Sequence, residues 1–171
     1  MSKFQFVIKR TGSVVPFNPE RISNAIYRAA VAVGGRDKEK ADELGLKPIA
    51  RFVSFAVAGC EPDYMGLGPI YAIPKALKIA DLTLDEISVF ELNEAFASQA
   101  LACVKELGLE NRMEDINPLG GGIALGHPLG CTGAFLTCKL LSELTRRGKK
   151  YGIVSMCIGG GMGAAGIFEM C

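Results

Sequence analysis

Two long stretches carry no full charge yet are broken repeatedly by glycine. They are Ile116–Cys138, which also holds Pro118 and Pro128, and Tyr151–Phe168. A membrane-spanning helix needs about 20 mostly apolar residues in series, and glycine and proline at this density deny the chain that option. No membrane span is therefore expected. What remains is a fold in which tightly packed loops join buried strands and helices, with glycine allowing backbone to approach backbone.

A chain of 171 residues, 49% of them apolar and 22% charged, is long enough for a real core and unlike a disordered, coiled-coil or collagen-like chain. Its net charge of +1 gives no overall field of the kind that draws nucleic acid, so no nucleic-acid partner is expected. The charge is uneven, with +5 over residues 1–40 and −4 over 41–171, which suggests two pieces of different origin. The six cysteines form no C-x-x-C pair, and a single histidine cannot complete a Cys/His zinc set, so no metal is expected. Met1-Ser-Lys-Phe-Gln lacks an apolar signal core. Reduced thiols in a cytoplasmic protein are the simplest expectation.

Phe4–Phe17 reads as strand, Thr-Gly turn and strand. Asn18 then caps a helix whose face is Ile22, Ala25, Ile26, Ala29 and Val33, stopped by Gly34-Gly35. The charged run Arg36–Lys40 is the expected boundary between the two pieces. Arg51–Gly59 suits a strand covered on both faces. A helix runs through Ile79, kinked at or starting near Pro74. Thr83-Leu-Asp-Glu86 has capping-box spacing. Ser88–Leu92 is a strand, Asn93 to about Leu107 a helix, and Thr132–Arg147 a helix with basic residues in its last turn. Tyr151–Cys157 and Gly163–Glu169 are strands around Gly159-Gly-Gly161. Strands alternating with helices predict an α/β fold, a layered sheet with helices on both faces, plus a short N-terminal β-hairpin and helix.

Three motifs at element junctions carry the chemistry. Asn93-Glu-Ala-Phe96 offers a side-chain amide able to hold a substrate oxygen or a water, or simply a helix N-cap. Gly120–Gly130 contains His127, the one side chain naturally poised for proton transfer near neutral pH, or a hydrogen-bonded loop histidine. Met156–Gly163 places Cys157 at a strand end beside a glycine turn that can aim N–H groups at an oxyanion; the alternative is a buried structural cysteine. Cys131 begins another helix, a place that can lower a thiol pKa; the alternative is again a buried structural cysteine.

From about Glu39 to Glu169 the chain closely resembles the C-terminal half of a thiolase, an acetyl-CoA C-acyltransferase. The matching stretches, in the family's order, are Arg51-Phe-Val-Ser-Phe55, Met65-Gly-Leu-Gly-Pro-Ile70, Asn93-Glu-Ala-Phe96, Asn117–Gly130 and Cys157-Ile-Gly-Gly-Gly-Met-Gly163. The resemblance implies one half of a thiolase-type fold over residues 39–171 and Claisen condensation or thiolysis of 3-ketoacyl-CoA. It implies that Asn93 positions a water which, with His127, stabilises a thioester enolate. His127 would also support the acyl-accepting cysteine. Cys157 would be the acid/base for the α-proton or the leaving thiol. Gly159 N–H would belong to a second oxyanion hole, and Ala95 and Phe96 would lie near the pantetheine arm. A coenzyme A thioester is then the substrate, with no separate cofactor.

None of the six cysteines sits in the family's nucleophile motif, and the loop region with much of the CoA site has no counterpart here. A partner chain carrying an N-terminal thiolase half, in a homo- or hetero-oligomer, is expected to complete the site. Residues 1–38 resemble the start of an ATP-cone, a nucleotide-sensing module. Val7, Lys9, Arg10, Asn18 and Arg21 fall where that family contacts nucleotide. A hairpin and helix with a solvated basic face is the alternative. A non-catalytic nucleotide- or CoA-binding module, or a fused gene product, are the competing functional readings.

Overall fold

The computed structural model describes residues 6–8, 14–16 and 43–171. It divides into two compact units, Met1–Lys47 and Pro48–Cys171. In the first, β1 (Phe6–Ile8) and β2 (Val14–Pro16) pair antiparallel, with Val7 opposite Val15. The expected Thr-Gly turn, the helix after Asn18 and the charged boundary lie outside the described residues.

The second unit is a four-stranded mixed sheet in the order β3-β6-β5-β4. Its strands are β3 (Ala50–Gly59), β4 (Val89–Leu92), β5 (Tyr151–Cys157) and β6 (Met162–Met170). β4 and β5 run parallel; β6 is antiparallel to both its neighbours. The helices are α1 (Gly68–Ala80), α2 (Ala97–Glu106), the single turn α3 (Gly122–Leu125) and α4 (Thr132–Arg147).

Side-chain alternation along the strands explains the layers. Phe90, Leu92, Ile153, Ala165 and Ile167 point to one face and pack with Ala72, Ile73, Ala76 and Leu77 of α1 and with Cys103 and Val104 of α2. Val89 and Val154 point the other way, onto Leu136, Leu140 and Leu144 of α4. Helices therefore cover both faces of the sheet, as the alternating pattern predicts.

Three expectations need correction. β3 is an edge strand covered on one face only: Ser54 Oγ donates to the Ala76 carbonyl at 2.9 Å, while Phe52, pressed against Phe168 and Phe55 on the far side, stays exposed. α1 runs unbroken through Pro74, with Pro69 in its first turn. Pro74 lies on the exposed face, where water can replace the hydrogen bond its ring cannot make. α2 starts at Ala97 rather than Asn93. The capping box is present: Thr83 N–H donates to Glu86 Oε2 at 2.8 Å, ahead of a short 3-10 turn.

The C-terminal turn of α4 is tied down by charge. Arg146 and Arg147 both donate to Glu143, and Arg147 also donates to Asp115 at 2.7 Å. The two guanidiniums cover the Glu143 carboxylate and hold its pKa at about 2.

Candidate functional site

β4 delivers the first candidate residue. Asn93 continues the strand edge, its N–H donating to the Ser155 carbonyl at 2.9 Å. It is therefore not a helix N-cap; that place falls to Phe96, whose backbone is extended. Asn93 is 1% exposed, and its Nδ2 lies 3.3 Å from Nε2 of His127. Its Oδ1 has no hydrogen-bond partner, an uncommon state for a buried polar atom.

The loop that carries His127 is clamped at several points. Asn117 begins it with a left-handed backbone (φ +46°) and its N–H donates to Phe90 O. Its side chain then acts as a further strand neighbour for β4: Oδ1 accepts from Leu92 N–H at 2.9 Å and Nδ2 donates to Leu92 O at 2.8 Å. Nδ2 also donates to Glu94, whose other carboxylate oxygen accepts the Ile123 N–H at 3.0 Å. Gly121 lies so close to that carboxylate that a Cβ there would have to displace it. Lys139 of α4 donates to Glu91 at 2.6 Å and to the Gly120 carbonyl. After Gly126 the chain reaches His127, whose Nδ1 lies 2.7 Å from Thr132 Oγ1.

Cys157 ends β5 opposite Gly163 of β6. Leu92 pairs with Ser155, so Asn93 comes level with Met156, one residue short of Cys157. Burial pushes the Cys157 thiol up. Beyond it Gly159, Gly160 and Gly161 all take positive φ, a path open to glycine at little cost. The turn is pinned by Ile158 N–H to Met162 O and Cys60 N–H to Gly161 O. Cys60 and Cys103 belong to the same neighbourhood. Burial raises both thiols, Cys103 to about 11, and the nearness of Cys157 adds to each. Cys131, Cys138 and Cys171 are exposed, and all six thiols are free.

Asn93 and His127 are thus in contact, with Cys157 on the adjacent strand and Gly159 two residues past it. Ala95 is half-buried and Phe96 is 62% exposed on the approach to α2. Val7 lies on β1, whereas Lys9, Arg10, Asn18 and Arg21 lie outside the described residues. Among the described residues there is no cluster of three metal-ligating side chains, and no helix is long and apolar enough to cross a membrane. Sequence reasoning missed Glu94, Asn117, Thr132 and the Glu91–Lys139 pair. Glu94 sits inside a quoted motif and Thr132 lies five residues past His127, but their partners come from other elements.

The family model described as "Thiolase, C-terminal domain" matches residues 46–170. The chain belongs to the thiolase family. The ATP cone domain model matches residues 5–54. A 3-ketoacyl-CoA thiolase of Bacillus subtilis is 55% identical over 160 residues, covering 94% of this chain and 39% of that protein. The crystal structure of the Bacillus anthracis acetyl-CoA acetyltransferase superposes with a TM-score of 0.74 at 50% identity, over 78% of this chain and 34% of that one. The human mitochondrial 3-ketoacyl-CoA thiolase in complex with CoA gives 0.74 at 46%, over 78% and 34%. This thiolase segment therefore spans about two fifths of the length of the curated relative it matches.

Proposed function

We propose that these residues form the C-terminal half of a thiolase site, acting in Claisen condensation or thiolysis of 3-ketoacyl-CoA, with the acyl-accepting cysteine supplied by an N-terminal-type half. The observation that carries the reading is the contact between Asn93 and His127, with Cys157 on the neighbouring strand, in a chain similar to a thiolase bound to CoA. The chemistry fits. Removing the weakly acidic α-proton of a thioester needs a positioned base and donors aimed at the enolate oxygen. A thiol whose pKa is raised by burial keeps its proton at neutral pH and can deliver it to a leaving thiolate; its own thiolate, once formed, is the more basic for the same reason. Asn93 keeps one acceptor with no protein partner, the capacity needed to hold a water. Gly159 would contribute its N–H to a second oxyanion hole, and Ala95 and Phe96 would flank the pantetheine arm.

Exposed apolar surface supports the second half. His127 is exposed together with Leu125 and Leu129, the latter 84% exposed. Cys131 ahead of α4 and Ala134, Cys138, Ser142 and Thr145 on its outward face form an uncharged stripe that ends at exposed Arg146. Surface of this kind marks an interface. We place the join with the ATP-cone-like segment 1–38 near residue 39, and a cytoplasmic location goes with the six free thiols.

Thiolysis of acetoacetyl-CoA, followed by thioester absorbance, tests the reading. The chain mixed with an N-terminal thiolase half is expected to be active. His127→Ala or Asn93→Ala should lower kcat by about 100- to 1,000-fold, the usual loss for one oxyanion donor. A folded mixture without activity would overturn the proposal. The ATP cone match favours a second role, nucleotide binding through Val7, Lys9, Arg10, Asn18 and Arg21. Calorimetry with ATP and dATP should then show heat that is lost in Lys9→Ala/Arg10→Ala.

A further inference from the structure

The hydrogen bonds around His127 specify where its proton sits. A neutral imidazole has one donor and one acceptor nitrogen. Nδ1 lies 2.7 Å from Thr132 Oγ1, and that hydroxyl has a single proton to give. The Pro128 carbonyl, 3.0 Å away, is within reach of that proton, although it also accepts the N–H groups of Cys131 and Thr132. With its proton on that carbonyl, the hydroxyl meets Nδ1 with a lone pair and Nδ1 carries the ring proton, the arrangement that the contact at the other nitrogen selects. At the other end of the ring, Nε2 faces Asn93 Nδ2 at 3.3 Å. An amide nitrogen can only donate, so Nε2 meets it with its lone pair. Two partners on different elements, the start of α4 and the end of β4, are thus satisfied by the same tautomer.

We propose that Thr132 is a positioning residue that fixes neutral His127 in the Nδ1-protonated tautomer, leaving the Nε2 lone pair turned toward Asn93. Free neutral histidine prefers the opposite form, so the protein imposes this one. The consequence rests on the thiolase reading above. A lone pair at Nε2 can take the thiol proton of an acyl-accepting cysteine, leaving a thiolate. The ring then presents that proton from Nε2 as a hydrogen bond to a thioester oxygen. The Nε2-protonated tautomer can do the second step but not the first.

The chain has one histidine, so its imidazole is observed without overlap. Nitrogen NMR of the full chain labelled at histidine, at a pH that leaves the ring neutral, reads which nitrogen carries the proton. The expected result is a single Nδ1-protonated form. Thr132→Ser keeps the hydroxyl and should keep that form. Thr132→Val keeps the shape and removes the hydroxyl; combined with Asn93→Ala, which removes the other partner that imposes this tautomer, it should relax the ring toward the mixture of free histidine. An Nε2-protonated ring in the unaltered chain would overturn the proposal, as would a Thr132→Val/Asn93→Ala ring that keeps the Nδ1 proton, or an Asn93→Ala ring that loses it while Thr132 is in place. A role for Thr132 in packing alone predicts the reverse ranking of the two variants. The measurement uses this chain by itself, so its failure is distinct from a failure of thiolysis in the combined halves.

Discussion

Gly163→Ala is expected to destabilise the chain by about 3 kcal/mol, at the upper end of ordinary overpacking costs. Gly163 is the β6 residue paired with both Ala58 and Cys157, and the first residue of α1, Gly68, lies directly on it. A Cβ at Gly163 would fall inside the Gly68 carbonyl group, and one at Gly68 would lie 2.5 Å from the Gly163 nitrogen. Both obstacles are backbone, so relief requires α1 to move off the sheet. Gly159→Ala is the control. Nothing lies within 4 Å of a Cβ there, and only its φ of +82° resists, at about 1–2 kcal/mol. Urea unfolding should show a much lower midpoint for Gly163→Ala than for Gly159→Ala, with similar slopes. Alkylation of Cys157 should also be faster in Gly163→Ala, because the strand pair that holds the thiol is disturbed. Equal midpoints would mean that α1 does not press on β6 at this point.

The same contact shows which features can be read from a sequence. Glycine at positions 68 and 163 is visible, and so is the motif each belongs to, but nothing in the one-dimensional pattern says that the two touch. Elements with a strong local signal were legible. The span of α4, its basic last turn, the capping box at Thr83 and the strands around the Gly159–Gly161 turn all appear where local sequence signals place them. Local signals failed where a tertiary partner outweighed them. Asn93 has the chemistry of an N-cap, but its N–H is taken by Ser155 and its amide faces His127, so α2 starts four residues later. The apolar run of β3 reads as a doubly covered strand, yet the strand lies at the sheet edge with Phe52 open on one side. Of the proposed site, Asn93, His127 and Cys157 stand out as candidates because each sits in a distinctive motif. Glu94, Asn117 and Thr132 were not, because what they do depends on distances between loops.

Lys139→Met is expected to be costly too, by about 3–5 kcal/mol, because it strands a buried charge. Glu91 is completely buried in β4, and Lys139 reaches it from α4 with only 9% of its side chain exposed. The two are 48 residues apart in sequence. Burial raises the Glu91 pKa; the lysine's hydrogen bond and charge pull it back only in part, and Oε1 has no partner at all. Without the lysine the opposing pull is gone, and the raised pKa rises further. A carboxyl whose folded pKa exceeds its unfolded value weakens the fold as pH rises past the unfolded value near 4.5. The loss in Lys139→Met should therefore be larger at pH 8 than at pH 5. Glu91→Leu/Lys139→Met removes both charges and should recover most of the lost stability, since a buried ion pair replaced by apolar groups is often neutral or better. Lys139 also holds the Gly120 carbonyl, at the start of the turn that leads to His127. The double variant restores the core and leaves that carbonyl without its cation. Hydrogen exchange at the Ile123 amide should then stay fast in a chain of near-normal stability. Slow exchange there would mean that Glu94 alone fixes the loop and that Lys139 serves only the buried carboxylate.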